Sequence, residues 1–230
     1  MKLIRFVPEI ADKDVMLLEP SPLKNHVPEW YKSGELEWID EKGERWPGMK
    51  TCAPFLDVML TGYVLVTPFD IFVTTNEDGT LNIRWNGPPE WSGFIHERPQ
   101  AVGATIPRPA GHHPNHLIWS SKWGWKTPRG YSTIITHPYN RQDLPFTTLA
   151  GVIDSDKFIA NGNTPFFMRE DFSGVIPAGT PYAQVTPFKR ETWKMTTDYG
   201  LTTLGHAQGK VVRREGLSYK QKMWVRKKYE

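Results

Sequence analysis

Cys52 is the only cysteine in 230 residues, so no intrachain disulfide can hold the fold together. Set beside Pro54 and Phe55, it reads as a small apolar group in a core, and a reducing, cytoplasmic site of synthesis is expected. Long apolar runs are also missing. No run reaches 18 apolar residues, which excludes a transmembrane helix, and residues 1–14 have no signal-type apolar segment. Helical periodicity is scarce. Twenty prolines punctuate the chain, and only Tyr219–Tyr229 has the spacing of a short helix, a basic one. A helical bundle is thereby excluded. No internal repeat and no low-complexity segment occurs.

Apolar material is nevertheless sufficient for a core, at 39% of residues with ten tryptophans. Net charge is +3 but uneven: Lys210–Glu230 holds eight Lys/Arg against two Glu, leaving −3 on the rest. That tail reads either as a solvated helix or as a contact for an acidic surface, Lys210–Lys228 being the stretch concerned.

Three regions follow from texture. Residues 1–50 form an irregular N-terminal extension, acidic at Glu35, Glu37, Asp40, Glu41 and Glu44, with Trp30, Trp38 and Trp46 available to pack on the body or on a neighbouring subunit. Residues 51–190 form the β domain. Phe55–Leu60 reads as a short helix or strand, and Tyr63–Val66 as a buried strand ended by Pro68. Residues 69–85 make a hairpin, alternating and β-branched on both sides of Asn76-Glu-Asp-Gly79. Residues 90–126 read as loops rich in His and Trp. Strands are expected over Tyr131–Thr136, Leu149–Ile153, Pro165–Met168 and Tyr182–Phe188. Residues 191–230 form a C-terminal extension. The fold class is all-β: a β-clip or barrel-like domain, with a double-sheet jelly roll as the alternative.

Four constellations carry potential chemistry. At Gly151-Val-Ile-Asp-Ser-Asp156 a strand delivers two carboxylates, Asp154 and Asp156, to one turn. Such a pair can orient a water or bind a cation, or simply close an Asx turn. His112, His113 and His116 offer three imidazoles to a divalent metal, although Pro114 breaks any helical register between them. The loop His137-Pro-Tyr-Asn-Arg141 joins a titratable ring to a fixed cation. With Asn140, Arg141 and the later Gln184 it reads as a ligand-binding set or as an interface. Trp91, Trp119, Trp123 and Trp125 beside Lys122, Lys126 and Arg129 suit base stacking, but packing is the commoner use.

The segment Gly151–Asp156 resembles the nucleotide-binding hairpin of deoxyuridine triphosphatases, Gly-x-Ile-Asp-x-Asp-Tyr-x-Gly. Gly174–Val185, with its Gly-centred turn before Ala183-Gln184, is similar to a later segment of that family. Pro128–Ile135 resembles the strand before its phosphate loop, and Thr61-Gly62-Tyr63 with Asp70 echoes its first motif. The resemblance covers residues 61–188 and extends to the deoxycytidine triphosphate deaminases, which share the β-clip scaffold. It implies a homo-oligomer, a trimer by preference, with Asp154 at the position of the water-orienting carboxylate. The chemistry-bearing positions depart from that pattern. The phosphate loop is Thr136-His-Pro-Tyr-Asn-Arg141, the deoxyribose-packing tyrosine is Lys157, and the Gly-rich closing motif is absent.

Most of the chain is similar to a family of uncharacterised proteins from bacteria and tailed phages. The similarity lies in Thr51–Asp57, Thr127–Thr133, Thr136–Arg141, Asp143–Phe146, Ile176–Pro181 and Pro187–Arg190. Two readings of function follow. One is a non-enzymatic structural or binding protein, a phage-type accessory or virion component on a degenerate nucleotidase scaffold. The other is an enzyme or a nucleotide- or metal-binding protein with its pocket around Asp154.

Overall fold

The computed structural model of the chain describes residues 2–12, 14, 18–103, 105–159, 161–214 and 219–230. Its architecture is all-β. The hairpin read from alternation forms as expected: Ile71–Thr75 pairs antiparallel with Leu81–Trp85, and Gly174–Ile176 adds a third strand. A five-stranded antiparallel sheet runs in the order Gly151–Ile153, Tyr131–Thr136, Pro181–Lys189, Tyr63–Val66, Ser21–Pro22. A four-stranded sheet runs Phe146–Thr148, Asn163–Met168, Leu117–Ser120, Ile95–Glu97. None of these sheets closes into a barrel among the described residues.

The three sheets share one core. Leu65, Ile135, Ala183 and Val185 enter it from the five-stranded sheet, Leu117, Trp119, Phe146 and Phe166 from the four-stranded one, and Ile71, Val73 and Ile176 from the third. Its centre is aromatic. Trp119 stacks on Phe166 at 3.9 Å between ring centroids, and Phe146 meets the Trp119 face edge-on at 5.1 Å. Trp91 and Trp125 are buried there as well, so these tryptophans pack rather than present a stacking surface. Trp125 satisfies its one donor on Thr133 Oγ1 at 2.8 Å. Gly62 has φ 83°, and a Cβ there would overlap the Val185 carbonyl oxygen, so this turn into the strand Tyr63–Val66 requires glycine.

Residues 53–60 resolve as a helix, Ala53–Leu60, with Pro54 in its first turn, where a missing N–H costs nothing. Cys52 caps it and is exposed, not buried in a core.

Regions read as irregular hold strands whose partners lie far along the chain. Arg5–Pro8 pairs with Trp123–Lys126, and Leu117–Ser120 sits between Ile95–Glu97 and Asn163–Met168. Glu37–Ile39 and Arg45–Pro47 form a separate hairpin with Trp38 opposite Trp46.

The C-terminal expectation needs correction. The helix lies at Thr202–Arg214. Tyr219–Met223 is a single π-type turn, and residues 224–230 hold no regular secondary structure. Tertiary contacts fix this end. Trp224 Nε1 and Lys227 Nζ both donate to Asp57 Oδ2 (2.8 and 2.6 Å), and Tyr63 Oη donates to the Glu230 carbonyl at 3.2 Å. Lys227 therefore finds its acidic partner in its own chain. No described helix is long and apolar enough to cross a membrane.

Candidate functional site

The strand Tyr131–Thr136 separates the predicted residues into two groups. Asp154 and Asp156 lie at its start, and the His137–Arg141 loop leaves its end. At about 3.4 Å per residue, Ser132 and Thr136 are roughly 13 Å apart. The pocket expected to join Asp154, Asp156, His137, Asn140, Arg141 and Gln184 is therefore not assembled.

The carboxylate pair is bonded to a residue that sequence reading passed over, Arg190. Pairing of Tyr131 with Lys189 brings the strand end beside Gly130, where Arg190 N–H donates to the Gly130 carbonyl at 2.9 Å. Its guanidinium then turns onto the acidic turn. Nη1 donates to Asp156 Oδ1 at 2.7 Å and to Asp154 Oδ1 at 3.2 Å, and Nη2 donates to Asp156 Oδ2. Gly130 N–H donates to Asp156 Oδ2 at 2.8 Å, and Ser132 Oγ–H to Asp154 Oδ1 at 2.6 Å.

The two carboxylates differ in setting: the Asp156 side chain is 3% exposed and that of Asp154 59%. The Arg190 guanidinium and the Gly130 amide hold the Asp156 carboxyl well below the usual carboxylate range. An anion so fully bonded is a poor base. The geometry is that of a buttressed turn in which Ser155 is buried and its Oγ lies 2.8 Å from Thr127 Oγ1.

The second group is equally occupied. Gln184 is fully buried. Its Oε1 accepts from Tyr139 N–H at 3.0 Å, and its Nε2 donates to the carbonyls of Val58 (3.0 Å) and Thr61 (2.7 Å). Asn140 has φ 60°, a left-handed conformation that asparagine tolerates, and Nδ2 donates to the Phe55 carbonyl at 3.4 Å. Arg141 grips Asp143 with Nε and Nη2 at 2.9 Å. Burial pushes the Asp143 carboxyl up, but hydrogen bonding to Arg141 overrides this and holds it below its ordinary value.

Thr148 N–H donates to His137 Nδ1 (3.3 Å), which leaves Nε2–H to donate to the Arg141 carbonyl (2.9 Å). That network assigns a neutral ring, and burial lowers its pKa, with the Arg141 charge acting in the same direction. These four residues hold one loop against the helix Ala53–Leu60.

The three histidines of the expected metal site do not converge. His112 Nδ1–H donates to the Ala110 carbonyl (3.0 Å), and Nε2 lies 2.9 Å from Thr147 Oγ1. His113 Nε2–H donates to the Gly79 carbonyl at 2.8 Å, and His116 packs on Phe167. No group of three or more His, Cys, Asp or Glu side chains placed to hold a metal occurs among the described residues. Each ring is drawn toward a different part of the fold, which local spacing cannot foretell. His112 and His137 do line one cleft of about 480 Å³ with Arg169, Glu170 and Asp171, but Arg169 is spent on Asp171 (2.9 and 2.6 Å).

No protein-family model matches the chain, and no curated protein matches it.

Proposed function

We propose that this chain is a non-enzymatic structural or binding protein that works as a homo-oligomer, and that its C-terminal arm is the assembly element. The observation that supports this is the exposure of the arm. Every residue from Glu191 to Gln208 is exposed, with Trp193 at 86%, Met195 at 92% and Tyr199 at 84%. Leu201 and Leu204 extend this apolar surface onto the helix Thr202–Arg214. A helix of 13 residues with Gly205 and Gly209 inside it has little stability of its own in water. Apolar surface of this extent is characteristic of a segment that docks.

The partner best suited to it is a second copy. The hairpin of the N-terminal extension exposes Trp38, Ile39 and Trp46 among Glu35, Glu37, Glu41 and Glu44, while the arm carries Lys194 and Lys210. Apolar and charge character both complement. An arm of one copy on the hairpin of the next is a heterologous contact, which forms a ring where its rotation closes, and the trimer favoured by resemblance is one such ring. A phage-type accessory or virion component fits the same reading, on the resemblance of the sequence. Internal bonding of the acidic turn and of the His137 loop also favours it over the enzymatic alternative.

Light scattering coupled to size exclusion tests the proposal. The wild type is expected to run as an oligomer, and the combined substitution of Trp193, Met195 and Tyr199 by Ser is expected to yield a folded monomer. A wild type that is monomeric at about 50 μM, or an oligomer that the substitutions leave intact, contradicts it. Turnover of any nucleotide by pure protein overturns the non-enzymatic part.

A further inference from the structure

The long connection between Ile95–Glu97 and Leu117–Ser120 holds a second kind of site. These strands are antiparallel neighbours, with Glu97 opposite Leu117, so the chain leaves and re-enters the sheet at one place. Residues 98–116 lie between. A connection of that length, without strands of its own, is more than joining two adjacent strands requires. Pro99, Pro107, Pro109 and Pro114 restrict its backbone. Arg98 and His116 directly follow the Glu97–Leu117 pair at the neck, and Arg108 lines the same cavity.

Together these residues line a cavity of about 470 Å³, with Asn115, Ala101, Gly103 and Ile106 completing much of its wall. Among the described residues neither Arg98 nor Arg108 makes an ion pair or hydrogen bond, in contrast to Arg141, Arg169 and Arg190, each of which grips a carboxylate. His116 is only 6% exposed, yet its ring nitrogens have no hydrogen-bond partner among the described residues. Gly103 lies so close that a Cβ on it would collide with His116 Nδ1 and Cε1. Asn115 Oδ1 is buried and unpartnered. Two guanidinium groups that grip no carboxylate, lining one cavity with an imidazole and an amide, mark a place for an acidic ligand.

We propose that this cavity binds a small organic oxyanion, with Arg98 and Arg108 clamping its charged head and the His116 ring N–H and the Asn115 Nδ2 amide donating further hydrogen bonds. Guanidinium groups match the planar or tetrahedral oxygens of carboxylate and phosphate in bidentate fashion. The cavity exceeds what inorganic phosphate alone would fill and falls within the range of small-ligand sites, roughly 300–1,000 Å³. The site lies apart from the assembly arm and is independent of it.

Calorimetric titration of the full chain with inorganic phosphate, phenyl phosphate and citrate tests the assignment. Saturable binding of one or more of these is expected, with phenyl phosphate tighter than inorganic phosphate. Binding of citrate alone assigns a carboxylate ligand, and binding of the two phosphates alone assigns a phosphate ester. Arg108→Gln, at an exposed position that the fold does not need, is expected to weaken binding about tenfold or more. Gly103→Ala is expected to weaken it by displacing the His116 ring, while Arg84→Gln, on a separate hairpin, leaves it unchanged. No saturable binding of any probe, or equal affinity in Arg108→Gln and wild type, overturns the proposal. The arm substitutions leave binding intact, so failure of the assembly reading and failure of this one are distinguishable.

Discussion

Asp154 and Asp156 stand two positions apart, yet the fold treats them differently. Asp156 is enclosed by Arg190 and the Gly130 amide, whereas Asp154 keeps most of its surface in water. Their replacement by alanine is therefore expected to diverge. Asp154→Ala removes one bond each from Ser132 and Arg190, which both retain other partners or solvent, and stability changes by no more than about 0.5 kcal/mol. Asp156→Ala leaves the Arg190 guanidinium without its main partner and is the more damaging. Urea unfolding of the two variants checks the order, and equal midpoints would contradict the assignment of Arg190 to Asp156.

Among elements, the loop His137–Asp143 is the one whose role changes most once the fold is known. Its residue types suggest an anion clamp, but Gln184 from another strand ties it to the helix Ala53–Leu60 and the turn after it. Gln184→Ala leaves the Tyr139 amide and the Val58 and Thr61 carbonyls unpartnered. A loss of about 2–4 kcal/mol is expected, or roughly 4–16 °C in melting temperature for a chain of this size. Amide hydrogen exchange should accelerate first at Tyr139 and in the last turn of the helix Ala53–Leu60. Unchanged protection there would mean that the loop is held by other means. The arm from Glu191 to Arg214 is the opposite kind of element. Its Trp193, Met195, Tyr199, Leu201 and Leu204 face water within the monomer.

On the scale of the whole molecule, stability carries a pH dependence that two half-buried rings set. His137 and His26 are both held below the ordinary imidazole value of 6.5, each chiefly by burial. The fold therefore keeps them neutral while the unfolded chain protonates them more readily. That contribution is complete above about pH 6.5 and is lost as pH falls through the lowered folded values. Asp156 contributes in a separate window: its lowered pKa stabilises the fold above the ordinary value of 3.8, and this is lost only below it. Urea midpoints are expected to fall between about pH 7 and pH 5, and His137→Gln should flatten that slope. A midpoint independent of pH over that range contradicts the neutral, buried assignment of His137.

The sequence by itself determined the all-β class, the hairpin over residues 69–85 and most strands of the central sheet. These features follow from local causes: side-chain alternation with a period of two, β-branched residues, and turn chemistry at Asn76–Gly79 and Gly179. It also favoured packing over base stacking for Trp91, Trp119 and Trp125, which the core buries. Only the tertiary structure decided which polar groups are spent and which are available. Arg190, a lone arginine after a strand, becomes the partner of Asp156 because a register that joins Tyr131 to Lys189 brings it there. Gln184 and the Ala183-Gln184 pair read as a ligand motif until three backbone partners claim the amide. The strands Arg5–Pro8 and Leu117–Ser120 lacked a sequence signal because their partners lie far away, and pairing, not propensity, makes them strands. The same long-range pairing brings Arg98, Arg108 and His116 to one cavity. Composition gives the kinds of charge a chain carries, but which charges neutralise one another is settled by contacts that form only on folding.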